Sequence, residues 1–182
     1  MNIFVFGSSL TSTFWNGAAT YYRGIYKNLN RLGHQITFAE PAIYGRQEHK
    51  DAGEISYADI RVYKSAAEIP GLLAEAARNA VVIKHSGAGA EDARLEADVL
   101  TCRSQMTRVL FWDVDAPATL ARLETVSTDP FRLSFLSTMP YLPMVAETAL
   151  SGITCVWEQR CACQSITLSI LKPISVLRLT RL

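Results

Sequence analysis

The sequence predicts an α/β fold built on a Rossmann-like parallel sheet. Three observations carry this expectation. Over residues 1–131, short apolar runs alternate with amphipathic helical stretches, the pattern of repeated βαβ units. The apolar runs are nearly continuous, as strands covered on both faces require. The chain has 182 residues, 49% of them hydrophobic, which suits one domain with a packed core.

Each element has its own signal. Asn2–Phe6 is an apolar run ending at Gly7 and reads as a buried strand. Gly17–Leu32 reads as a helix, with Tyr22, Ile25, Tyr26, Leu29 and Leu32 at helical spacing and Gly33 as its stop. Gln35–Ala39 and Ile60–Tyr63 are the second and third strands. Ala66–Ala77 is helical, with Ile69, Leu72, Leu73 and Ala76 on one face. Ala80–Ile83 is the fourth strand, punctuated by Gly87 and Gly89. Glu91–Arg103 is helical, Arg108–Trp112 is the fifth strand, and Ala116–Leu123 is a short helix.

Composition narrows the function classes. The formal net charge is +1, so there is no broad basic field for nucleic acid. Four cysteines, unevenly placed, do not make a disulfide framework, and Cys161-Ala162-Cys163 has the wrong spacing for a zinc knuckle. Met1–Gly7 has no basic leader and no long apolar run, and no stretch is apolar enough to span a bilayer. A cytoplasmic protein is expected.

In a parallel sheet, ligands bind beyond the C-terminal ends of the strands. The first such loop, Gly7–Gly17, offers Ser8, Ser9, Trp15, Asn16 and Gly17 for an anion or a sugar hydroxyl. It lacks the G-x-G-x-x-G and G-K-[ST] patterns of nucleotide-binding loops. The fourth-strand loop carries His85, a candidate general base. The fifth strand ends in Asp113-Val114-Asp115, two carboxylates at i, i+2 that could share one side and hold a cation. Asp115 also suits a helix cap before Ala116–Leu123. The run Arg46–Asp51 reads as a solvated mixed-charge loop, and Tyr21, Tyr22 and Tyr26 as core and rim packing.

Taken in order, the first strand, Trp15–Arg23, Gly33–Phe38, Val82–Gly87 and Leu110–Leu120 resemble the CgeB, or spore-maturation-protein-like, bacterial glycosyltransferases. The resemblance covers about residues 1–131. It implies the N-terminal, acceptor-side half of a two-domain GT-B enzyme that transfers sugar from a nucleotide-sugar to a glycan or other acceptor. No separate cofactor and no obligatory metal is implied. By this reading the Gly7–Gly17 loop, His85 and Asp113 face the interdomain cleft. His85 and Asp113 are then the candidate catalytic residues by position. Ser8, Ser9, Trp15, Asn16, Gly17 and Asp115 are the candidate substrate contacts. The alternatives are a non-catalytic α/β ligand-binding or interaction module, and a metal-dependent hydrolase or transferase using Asp113 and Asp115.

Residues 132–182 break the pattern. They hold no Asp, no Asn and only Gly152 among glycines, although turns need these residues. Synonymous codons exist that, read two nucleotides later from Leu133, encode a strand, a Gly-rich turn, a helix and a Tyr-Asn-Ala-Leu-Asp-Pro segment. We therefore expect an atypical tail, out of frame or truncated, in place of a donor-binding domain, and no transferase activity from the chain alone. Ile166–Leu171 and Ile174–Leu179 are then aggregation-prone segments.

Overall fold

Six parallel strands lie in the order β3-β2-β1-β4-β5-β6. They are β1 (Asn2–Phe6), β2 (Gln35–Pro41), β3 (Asp59–Tyr63), β4 (Val81–His85), β5 (Arg108–Asp113) and β6 (Tyr141–Pro143). Helices α1 (Ala19–Arg31), α2 (Ile69–Ala76), α3 (Asp92–Asp98) and α4 (Ala116–Thr125) connect them. The computed structural model describes residues 1–89, 91–126, 128, 129, 131 and 141–143, all within one unit, Met1–Met144. β6 falls inside the segment 132–182; the apolar stretches Ile166–Leu171 and Ile174–Leu179 and the cysteine pair at 161 and 163 lie outside the described residues.

The period-two alternation of β1 explains the two cores. Phe4 and Phe6 point to one face, with Val82, Val109 and Phe111 of the neighbouring strands and Ile69, Leu95 and Leu123 of α2, α3 and α4. Ile3 and Val5 point to the other, against Tyr22 and Tyr26 of α1. The sheet is thus covered on both faces, as its apolar strands require.

Element ends differ from the sequence reading for local reasons. α1 starts at Ala19, two residues late, because Asn16 and its neighbours form turns of the preceding loop. It stops as expected: Gly33 is left-handed (φ 85°), its N–H reaches Asn30 O at 2.8 Å and that of His34 reaches Leu29 O at 3.1 Å, a Schellman closure. The Ala66–Ala77 helix opens as a 3-10 turn, Ala66–Glu68, capped by a Ser65–Glu68 box before α2. The Glu91–Arg103 helix is shorter, α3 being followed by a 3-10 turn at Val99–Cys102. β2 and β4 each run two residues further than their apolar cores. Both extensions carry buried charged or titratable residues, Glu40 on β2 and Lys84 and His85 on β4. Among the described residues, no helix is long and apolar enough to cross a membrane.

Candidate functional site

The strand order reverses direction between β1 and β4, and the C-terminal ends of these two strands open into a cleft of about 420 Å³. This is the topological switch point at which open α/β sheets bind ligands. Ser8, Trp15, Asn16 and Gly17 form one wall, Ser86, Gly87 and Asp92 the floor, and Asp115, Thr119 and Arg122 the other wall. Arg46, Glu96 and Tyr22 also line it.

The first wall is built by a carboxylate that sequence reasoning passed over. Glu40 lies one step beyond the end of the β1–β2 pairing and is fully buried. Its Oε2 accepts the Ser9 hydroxyl at 2.9 Å and the Leu10 N–H at 2.7 Å, and Gln47 Nε2 donates to its Oε1 at 2.9 Å. Thr11 donates to it through both N–H and hydroxyl. Ser9 Oγ in turn accepts the N–H groups of Thr11 and Ser12, each at 3.1 Å. The Thr13 N–H goes to Asp51 and that of Phe14 to Ser12 Oγ. The amides from Leu10 to Phe14 are therefore committed internally. Those of Gly17 and Ala18, at the start of α1, have no internal acceptor among the described residues.

Asn16 and Arg46 complete the loop. Asn16 Oδ1 accepts the Ser8 hydroxyl at 2.8 Å, and its Nδ2 donates to Ser9 O at 3.0 Å and Ser12 O at 3.2 Å. The Arg46 guanidinium donates to Ser8 O at 3.1 Å, Trp15 O at 3.0 Å and Phe14 O at 3.3 Å. Burial holds its pKa below the usual arginine range. The 46–51 run is therefore not simply solvated: Arg46 is buried, and exposed Asp51 clamps Thr13 and pairs with Arg23. Hydrogen bonds from Thr13 and Arg23 pull the Asp51 carboxyl down to about 2.

The floor repeats the device. Lys84 is fully buried, ion-paired with Asp92, and donates to His85 O at 2.6 Å. Asp92 accepts the N–H groups of Gly87 at 3.1 Å and Ala88 at 3.0 Å. A carboxylate of the chain thus occupies the position at which this glycine turn would cradle an anion. Glu96, its pKa raised by burial against the pull of Lys84 and Arg122, pairs with Arg122 at 3.0 Å. Arg122 also pairs with Asp129 at 3.2 Å.

Several predicted site residues stand elsewhere than expected. His85 belongs to β4, paired with Trp112, and is fully buried. Its Nε2 hydrogen-bonds the Tyr26 hydroxyl, its ring stacks parallel to Trp112 at 5.7 Å, and Tyr22 meets it edge-on at 4.0 Å. Burial, with the Lys84 charge, holds its pKa well below 6.5. Asp113 is also fully buried, and its Oδ1 accepts the Asp115 N–H at 2.9 Å. The expectation that both face the cleft is revised: His85 is walled in by aromatic rings, and Asp113 ties off the strand end. β5 ends at Asp113, so strand periodicity does not carry Asp113 and Asp115 to a common side. Asp115 holds the N-cap position of α4 without a side-chain capping bond, and it lines the cleft. Ser9 is buried and builds the loop, whereas Ser8, Trp15, Asn16, Gly17 and Asp115 line the one cleft together. Among the described residues, no group of three or more His, Cys, Asp or Glu could hold a metal ion.

The cleft therefore presents an exposed indole, hydroxyls, two free amides and more carboxylates than guanidiniums. Asp92, Glu96 and Asp115 stand against Arg46 and Arg122, and both arginines are already engaged. Such a surface suits a neutral, hydroxyl-rich ligand and disfavours a diphosphate. No family model, curated protein or solved structure matches the chain.

Proposed function

We propose that residues 1–131 are the acceptor-side domain of a GT-B type glycosyltransferase and bind a saccharide in the switch-point cleft. The observation that carries this reading is the filling of both loops by the chain's own carboxylates, Glu40 and Asp92. These occupy the places where a nucleotide-binding domain would hold phosphate. What remains is suited to sugar hydroxyls. Ser8, Asp115 and the Gly17 amide supply hydrogen-bonding groups, and Trp15 supplies an aromatic face for a pyranose ring. A nucleotide-sugar site and a second Rossmann-like domain would lie outside the described residues. Residues 1–131 by themselves transfer no sugar on this reading.

A second reading, a non-catalytic ligand-binding module, draws support from the enclosure of His85 and Asp113. The two readings agree on the cleft and differ on catalysis. Calorimetry of the full chain separates them in steps. Binding of a neutral saccharide, weakened about tenfold by Asp115→Ala, is expected under the first and compatible with the second. Transfer from a nucleotide-sugar, once a donor-side domain is supplied in the same polypeptide, is expected under the first alone. Binding of a nucleotide-sugar in the cleft, with no binding of any saccharide, overturns the first reading and leaves the second standing.

A further inference from the structure

The exposed large apolar side chains of the described residues divide by sheet edge. Met1, Leu32, Met106 and Val126 stand before strands or after helices, at the N-terminal edge. Phe14, Trp15 and Tyr44 follow β1 and β2, at the C-terminal edge beside the cleft. The large apolar side chains exposed at the cleft edge are thus all aromatic among the described residues. Two of them, Trp15 at 79% exposure and Tyr44 at 62%, have left-handed backbones (φ 48° and 56°). They are the only described non-glycine residues that do. Bulky side chains adopt this conformation rarely, and such outliers gather at ligand sites.

One buried group holds both. Arg46 donates to Trp15 O at 3.0 Å and lies 5.2 Å from the centre of the Tyr44 ring. Phe14, whose carbonyl Arg46 also binds, stacks on His49 at 4.2 Å and buttresses Trp15 edge-on at 6.0 Å. Trp15 and Tyr44 are thus both in contact with Arg46 and both remain largely exposed. At the cleft end, the Tyr22 hydroxyl is buried with no hydrogen-bond partner among the described residues, in a residue 1% exposed that lines the cleft. An orphaned hydroxyl at a cleft wall calls for a polar partner from a ligand.

We propose that Trp15 and Tyr44 extend the cleft into a stacking ridge for a neutral glycan longer than one sugar residue. The inference rests on the saccharide reading above and adds chain length and a second subsite to it. A pyranose has an apolar C–H face that packs on an aromatic ring, and its hydroxyls satisfy polar groups around the rim. The terminal sugar sits in the cleft, with a hydroxyl on Tyr22 Oη and its ring on Trp15. The next sugar lies on Tyr44. The excess of carboxylates at the cleft favours neutral over acidic sugars.

An array of neutral glycans of one to six residues, probed with the full chain and followed by calorimetry on the hits, tests this. Affinity is expected to rise at least tenfold from one residue to two or three. Tyr44→Ala should abolish that gain, so that longer glycans bind it no better than the monosaccharide does. Tyr22→Phe and Trp15→Ala should weaken binding at every length, with circular dichroism showing intact folds. Monosaccharide binding with no gain in longer chains, or a gain that survives Tyr44→Ala, overturns the ridge and leaves the saccharide cleft standing. Self-association of the chain that Tyr44→Ala abolishes, without any chain-length gain, makes the ridge a protein contact and overturns the proposal. No glycan binding at all overturns both.

Discussion

Glu40 accepts five hydrogen bonds from Ser9, Leu10, Thr11 and Gln47, and no water is needed to complete its shell. Glu40→Gln keeps the shape but turns an NH2 group toward donors on whichever side it faces. It should cost about 2 kcal/mol of stability, read as a lower urea midpoint at unchanged slope. His85 predicts a pH dependence. Its folded pKa lies well below 6.5, so the unfolded chain takes up a proton that the folded protein refuses. Stability is full above about 6.5 and is lost as pH falls below it, by at most about 1.4 kcal/mol per pH unit. Urea midpoints at pH 7 and 5 should converge in His85→Gln relative to the parent. An equal pH slope in both would show that His85 titrates normally. Little of this was legible in the sequence. A Glu before Pro41 reads as the end of a strand, and only the pairing of Phe6 with Ala39 places it under the first loop. A histidine at the end of an apolar run reads as exposed, and nothing local shows that Tyr22, Tyr26 and Trp112 close around it.

At the scale of elements, alternation and helical periodicity located every strand and helix through β5 and α4, because burial on two faces stamps itself on local sequence. The ends were less legible, because the polar residues that prolong β2 and β4 find their partners outside their own strands. Lys84 is the clearest case. It continues β4 into the core because Asp92, at the start of α3, neutralises it there. Asp92→Ala leaves a buried ammonium with His85 O and the Phe111 ring as neighbours. About 3 kcal/mol of destabilisation is expected in urea unfolding. Lys84→Met in the same chain should recover most of it, since the unpaired charge is then gone. Failure of the double variant to recover would mean that the Gly87 and Ala88 amides, and not the charge, set the cost. The first wall obeys the same logic at a tighter approach. A Cβ on Gly7 would stand 2.4 Å from Phe38 Cζ, so the strand-to-loop turn there admits no side chain.

At the largest scale, the described residues join a doubly covered parallel sheet to a cleft whose two loops are closed on the chain's own carboxylates, Glu40 and Asp92. The expected cleft loop was visible as a cluster of Ser8, Trp15, Asn16 and Gly17 after the first strand. That the amides of this loop are already engaged was not, since it depends on Glu40, 30 residues from Leu10 in sequence. The expectation of an out-of-frame tail belongs to this scale too. If residues 132–182 are read out of frame, the DNA beyond codon 132 contains another frame that continues with a second Rossmann-like domain. Resequencing that finds no such frame retires that expectation and favours the binding module. The cleft itself is tested most directly by amide chemical shifts in a 15N-labelled full chain, titrated with a neutral saccharide and, separately, with a nucleotide-sugar. The account predicts that the saccharide moves Asn16, Gly17 and Ala18, while the nucleotide-sugar leaves Leu10, Thr11, Gly87 and Ala88 in place. Saturable shifts of those four amides with the nucleotide-sugar would show that phosphate displaces Glu40 or Asp92, and would contradict it.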